Sequence, residues 1–256
     1  VGRSYVAIGD SLTVGVGARL FGGGFVQRFW WMLEKKTHAP VELSVFAKSG
    51  LTTEQILQLF KRSEVRRSIA AADIITITGC GNDLVQAVQQ YEEGEDEKKL
   101  LQAVTHCQAN FSKMIQEIAQ IKRGQHQPYY VYFMNLYNPF PQIPIAGRWL
   151  QQYNQQLRLL AANPHVEVVD VYRALKDMKE PTYRLINFTR ILRGMKRWQK
   201  HCLRHTVNSC NPVGLQFFSS FSIYDGFDMI KEMKAKEVCR HGGNQCVFSK
   251  DDRNGL

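Results

Sequence analysis

No run of apolar residues in this 256-residue chain is long enough to cross a bilayer, although hydrophobic types make up 44% of it; a helical span needs about 20 in succession. A protein with an integral membrane helix is thereby excluded, and the length and composition are those of one soluble α/β domain with a full core. No signal peptide is visible, since Val1-Gly2-Arg3-Ser4 passes at once into the apolar Tyr5-Val6-Ala7-Ile8. No two of the six cysteines stand in C-x-x-C spacing, which argues against a zinc site, and no metal or other cofactor is expected. Cys80 and Cys107 lie in the body of the chain, whereas Cys202, Cys210, Cys239 and Cys246 crowd its last part. The body reads as an intracellular enzyme with reduced thiols.

The net charge of +10 is just as uneven. Residues 1–183 hold 20 Lys and Arg against 17 Asp and Glu, while residues 184–256 hold 13 against 6. A basic surface that served nucleic acid would be part of the folded body. Here the excess belongs to the tail, so no nucleic-acid partner is expected.

Apolar runs alternate with helical periodicity along the first part of the chain. Strands are expected at 5–8, 41–47, 73–78, 129–136 and 166–171, and helices at 25–36, 53–60, 100–121 and 148–162, with Thr53 as an N-cap. Glu92 to Lys99 reads as a solvated helix start. Five strands alternating with helices predict a parallel sheet covered on both faces. In such a sheet functional residues follow the carboxyl ends of strands.

Three short motifs stand there. Gly9-Asp10-Ser11-Leu12-Thr13 follows the first strand, Lys48-Ser49-Gly50 the second, and Gly79-Cys80-Gly81-Asn82-Asp83-Leu84 the third. Each alone is no more than a cap or a turn; together, in this order, they fit acyl transfer. A serine at a strand-to-helix turn exposes its hydroxyl and supplies its own N–H, a glycine lets a second N–H approach closely, and an asparagine amide adds a third donor. Ser11 is thus the candidate nucleophile and an oxyanion donor, with Gly50 and Asn82 as further oxyanion donors. Asp10 and Asp83 are supporting residues. Cys80 is read as a small packing residue and not a second nucleophile.

These blocks resemble those of the SGNH, or GDSL, hydrolase family: Gly-Asp-Ser-Leu at 9–12, the glycine of the second block at Gly50, and G-x-N-D at 80–83, with Cys80 where the first glycine is usual. The stretches 45–51, 77–84 and 135–141 narrow the resemblance to a branch associated with spore germination in bacilli. It spans about residues 4–183. It implies a flavodoxin-like three-layer sandwich with a five-stranded parallel sheet, and metal-free hydrolysis of a small-molecule or lipid ester. It also implies a cytoplasmic or spore-associated location and contact with lipid surfaces. Oligomeric state is not readable.

What the chain lacks is the family's last block, D-x-x-H, whose histidine is the general base and whose aspartate orients it. Three residues before its seven histidines stand Lys35, Ala103, Arg123, Ala162, Trp198, Cys202 and Val238. The general base and its aspartate are therefore unknown. Residues 184–200 are instead basic and poorly patterned. Allowed codons from Leu185 onward, regrouped one base earlier, encode D-K-F-H-P-N-T-E-G-Y-E-K-M-A-K-A-L. Met195 and Trp198 have single codons, and with Lys196 and Gln199 they force the second glutamate and the first alanine of that string. The expectation is a hydrolase domain over 1–183 and a frameshifted, poorly ordered tail over 184–256. The lost aspartate would straddle Leu185 and Ile186, and the lost histidine Phe188 and Thr189. The alternative is an inactive ester-binding or interaction protein of the same fold.

Other readings weigh less. Gly15-Val16-Gly17 and Gly22-Gly23-Gly24 do not form G-x-G-x-x-G directly after a strand. Arg190, Arg193, Lys196 and Arg197 could imitate an RNA-binding helix, but the frame argument removes their significance. Tyr137 and Phe140 follow the fourth strand, where acyl-pocket lining and local loop packing both fit.

Overall fold

The five apolar runs are strands of one parallel sheet. The computed structural model describes residues 3–16, 24–94, 97–125, 127–137 and 144–175. The chain divides into two units, Val1–Ser209 and Cys210–Leu256, and every described residue belongs to the first. The strands are β1 (Arg3–Gly9), β2 (Val41–Ala47), β3 (Ile74–Ile77), β4 (Tyr130–Met134) and β5 (Val166–Val169). Their order is β2-β1-β3-β4-β5, all neighbours parallel. This is the flavodoxin-like order, whose direction of winding reverses between β1 and β3.

Helices α1 (Ser11–Val14), α2 (Phe25–Thr37), α3 (Thr53–Leu59), α4 (Ser63–Ala71), α5 (Gly81–Gly94), α6 (Glu97–Ile121), α7 (Pro144–Leu159) and α8 (Val171–Leu175) alternate with the strands. Successive strand residues point to opposite faces, and the core divides accordingly. Val6, Ile8, Ile75, Ile77, Val131 and Phe133 face α3 through α7. Tyr5, Ala7, Ile74, Tyr132 and Met134 face the other way, against Phe25, Phe29 and Leu33 of α2. The Trp30 indole N–H donates to the Val41 carbonyl at 2.6 Å and ties α2 to the start of β2.

Three local expectations need correction. The cap of α3 is Thr52 rather than Thr53: the Thr52 hydroxyl accepts from the Gln55 N–H while the Gln55 side chain accepts from the Thr52 N–H. Thr53 is released for another partner, described below. Residues 63–71 and 81–94, not read as helices from the sequence, form α4 and α5. The reading of reduced thiols fails at Cys80 and Cys107, which form a disulfide with their Cα atoms 5.7 Å apart. One lies before α5 and the other nearly three turns into α6, and no spacing rule reveals that these positions face each other.

Candidate active site

The site starts from the way β1 and β3 end. Gly9 is required by close approach, because a Cβ there would overlap the Thr78 hydroxyl. The two chain ends are then stitched by buried oxygens. Thr78 Oγ1 donates to Asp10 Oδ1 at 2.8 Å and pairs with Thr13 Oγ1 at 2.8 Å. Asp10 also caps α1, since its Oδ1 accepts from the Leu12 N–H at 3.1 Å. Its carboxyl is held above the usual carboxylate range, chiefly by burial; the bonds from Thr78 and Leu12 oppose that shift, and the charge of Asp83 adds to it.

Ser11 is the first residue of α1. The N–H groups of a first helical turn lack partners within the helix. Asp10 takes that of Leu12, and no hydrogen bond among the described residues uses that of Ser11. Gly50 follows β2 with φ 88°, in the left-handed region, and nothing lies within 4 Å of where its Cβ would stand. Its requirement among the described residues is thus conformational.

Asn82 and Asp83 begin α5 and are held by the segment after Gly50. The Asn82 Nδ2 donates to the Leu51 carbonyl at 2.8 Å, which leaves the second N–H of that amide. Asp83 accepts from the Thr53 N–H at 2.9 Å and from the Thr53 hydroxyl at 2.7 Å. Behind Thr53, the buried Asn110 of α6 donates to its hydroxyl at 3.0 Å. Cys80, directly before α5, has φ 75°. A side chain in that region costs about 1–3 kcal/mol relative to unstrained backbone. The sequence-derived residues Asp10, Ser11, Gly50, Asn82 and Asp83 are therefore brought to one end of the sheet. Asp10 is bonded to Thr78 at the end of β3, and Asn82 and Asp83 are bonded to Leu51 and Thr53 after β2.

The base is not among them. His38 precedes β2 and His165 precedes β5, so both lie at the amino end of a parallel sheet, and His106 is exposed on α6. The His165 ring stacks on Tyr129 at 4.1 Å. His126, His201, His205 and His241, together with residues 184–189, lie outside the described residues, as do Gly17, Gly22, Gly23 and Phe140. Among the described residues no cluster of His, Cys, Asp or Glu could hold a metal ion. No described helix is long and apolar enough to cross a membrane.

Residues that the motifs did not reveal complete this end of the sheet. Asn135, buried after β4, donates to Asp170 at 2.8 Å and accepts from the Tyr172 N–H at 2.9 Å. Asp170 accepts from the Arg173 N–H at 2.9 Å and pairs with Arg158 at 3.1 Å. Asn154 of α7 satisfies both the N–H and the carbonyl of Leu136, at 3.0 and 2.9 Å. The available signal was the placing of Asn135 and Asp170 directly after apolar strands.

Residues 7–191 match the model of the GDSL-like lipase/acylhydrolase family. The chain is 46% identical over 176 residues to the spore germination lipase LipC of Bacillus licheniformis, covering 69% of this chain and 83% of that one. The crystal structure of the lipase Lip_vut3 from a goat rumen metagenome superimposes with a TM-score of 0.70 at 40% identity, over 76% of this chain and 96% of that one. The acetylxylan esterase Axe2 of Geobacillus stearothermophilus shares the fold, with a TM-score of 0.54 at 18% identity over 75% and 94% of the two chains. The chain belongs to the GDSL-like lipase/acylhydrolase family, a family of carboxylic ester hydrolases.

Proposed function

We propose that this protein is built to hydrolyse lipid or phospholipid esters through an acyl-enzyme on Ser11. The observation that carries the reading is the meeting of three strand-end motifs at the β1/β3 reversal, with donors left over there. In this reading the Ser11 oxygen attacks the ester carbonyl. The oxyanion is met by the N–H groups of Ser11 and Gly50 and by the free N–H of the Asn82 amide. The alcohol leaves, and water then releases the acid. Asp10 and Asp83 hold the donors without touching the substrate. The lipid substrate and an association with spores rest on the resemblance to the germination lipase.

The base belongs to the second part of the proposal: residues 184–256 are a frameshifted tail, and the natural reading frame encodes D-x-x-H-P across the codons of 185–190. The chain as written is then impaired, because removing the base costs orders of magnitude while oxyanion donors sustain a residue of rate. Its alternative as an inactive ester-binding protein draws on the same missing block. A fluorophosphonate probe separates the two readings. Labelling of the frame-restored chain that disappears in Ser11→Ala supports an activated serine, and no labelling of that chain favours the inactive form. Ester hydrolysis by this chain and by a frame-restored chain tests the tail, since equal rates would sink the frameshift. Reading the genomic codons from Lys179 to Thr189 decides it directly.

A further inference from the structure

The reaction does not use the Cys80–Cys107 disulfide, yet the bridge ends two residues before Asn82. Cys80 holds the left-handed conformation, φ 75°, that glycine adopts freely and other residues resist. Its carbonyl accepts the first hydrogen bond of α5, from the Leu84 N–H at 3.1 Å. The twist at Cys80 therefore sets the direction in which α5, and Asn82 with it, leaves the sheet. Helix α6 grips this turn twice. Cys107 binds Cys80 covalently. Asn110, three residues on and on the same face, reaches Asp83 through Thr53: its amide donates to Thr53 Oγ1 at 3.0 Å, which donates to Asp83 at 2.7 Å. One attachment lies just before Asn82 and the other just after it. Cys80, Cys107 and Thr53 are fully buried, and Asn110 is nearly so.

We propose that Cys80 and Cys107 are a positioning pair for the oxyanion loop. Their bridge keeps a residue other than glycine in the left-handed turn that aims Asn82, and the dithiol form of the protein has a weaker oxyanion hole. The proposal rests on the ester-hydrolase reading for its catalytic consequence and on geometry alone for its effect on the loop. The bridge forms by two-electron exchange with a disulfide oxidant. The two cysteine thiols lose two protons and two electrons, the S–S bond closes between them, and the oxidant leaves as two thiols. Because both sulfurs are buried, the exchange takes place before the loop and α6 close over them. Activity is in this way tied to the thiol–disulfide balance met during folding.

The test compares C80A/C107A with C80G/C107A. Both lack the bridge, but only the second restores a residue at ease with the left-handed turn. In the full chain, hydrogen exchange at the Leu84 amide reads the turn without any need for turnover. It should quicken about tenfold or more in C80A/C107A and stay within about threefold of the parent in C80G/C107A. In the frame-restored chain acting on p-nitrophenyl butyrate, C80A/C107A should lose about 10- to 100-fold in kcat with KM little changed, and C80G/C107A should keep most of it. Alkylation of the denatured parent without reductant should leave Cys80 and Cys107 unmodified. Equal losses in the two variants, no loss in either readout, or free thiols at both positions would overturn the proposal. If no form hydrolyses the ester, the ester-hydrolase reading falls, and the Leu84 exchange alone decides whether the pair positions the loop.

Discussion

The two ends of the sheet use similar side chains to opposite effect. At the amino end polar groups are consumed in closing the structure. Lys122, buried after α6, donates to the carbonyls of Ala70 and Ala72 at the end of α4 and lies 5.3 Å over the Tyr129 ring. Tyr129 stacks on His165, and Asp73 accepts from the Ser4 N–H at 2.8 Å. At the carboxyl end Asp10, Thr78, Thr53 and Asp83 likewise satisfy one another and the nearby backbone. There, however, the N–H groups of Ser11 and Gly50 and one N–H of Asn82 are left without partners among the described residues. A buried network that closes on itself gives stability, whereas the donors left unused at the carboxyl end are the ones the proposed reaction assigns to the oxyanion.

Substitutions at each end should part the two roles. The largest effect is expected for Asn82→Ala. In the frame-restored protein it should lower kcat about 10²- to 10³-fold, as loss of one oxyanion donor does, with a melting temperature close to the parent's. Steady-state kinetics beside calorimetry would show it, and an unchanged kcat would remove Asn82 from the oxyanion hole. Asp83→Ala comes next and should blur the distinction. It strips the buried Thr53 of its carboxylate acceptor for both N–H and hydroxyl, so stability should drop by about 1–3 kcal/mol in urea unfolding, with kcat falling as well.

Lys122→Met should act on stability alone. Burial lowers the Lys122 ammonium from 10.5 to about 8, against a smaller opposing pull from Asp73. Below that value the lysine is charged in both folded and unfolded chains. As pH rises from about 8 towards 10.5 the folded protein sheds the proton first, so stability should rise through that window. The slope should vanish in Lys122→Met, and a slope that persists would assign it to another group.

Asp10→Asn is expected to have the smallest effect, with the opposite sign. Burial raises the Asp10 carboxyl above 3.8, so the stability it contributes is complete below that value and is lost as pH climbs through its folded value. The amide keeps an acceptor for Thr78 and Leu12 but cannot ionise. Unfolding curves from acid to neutral pH should therefore be flatter for the variant, and identical curves would remove Asp10 as their source.

The strands were legible because parallel strands buried on both faces are nearly continuous apolar runs, as in Tyr5-Val6-Ala7-Ile8 and Ile74-Ile75-Thr76-Ile77. The strand-end positions of Ser11, Gly50 and Asn82 were legible because each follows such a run in a short motif. Helices α4 and α5 were not. Ser63-Glu64-Val65-Arg66-Arg67 carries few apolar residues, and Gly81-Asn82-Asp83 has the composition of a turn. Thr53 was assigned to a cap because Thr52 and Thr53 are equivalent by propensity, and only the approach of Asp83 separates them.

The sequence by itself determined the alternation of elements, the Gly-Asp-Ser-Leu motif with its two partner motifs, and the absence of a D-x-x-H block from the chain as written. These are properties of neighbours along the chain, set by periodicity and by the few residues a turn or a reaction tolerates. Tertiary structure decided that Asp10 joins Thr78, that Asn110 supports Asp83 through Thr53, that Asn135 anchors Asp170, and that Cys80 meets Cys107. Such pairs lie on separate elements, and whether they meet depends on how parallel strands and their crossover helices stack in space.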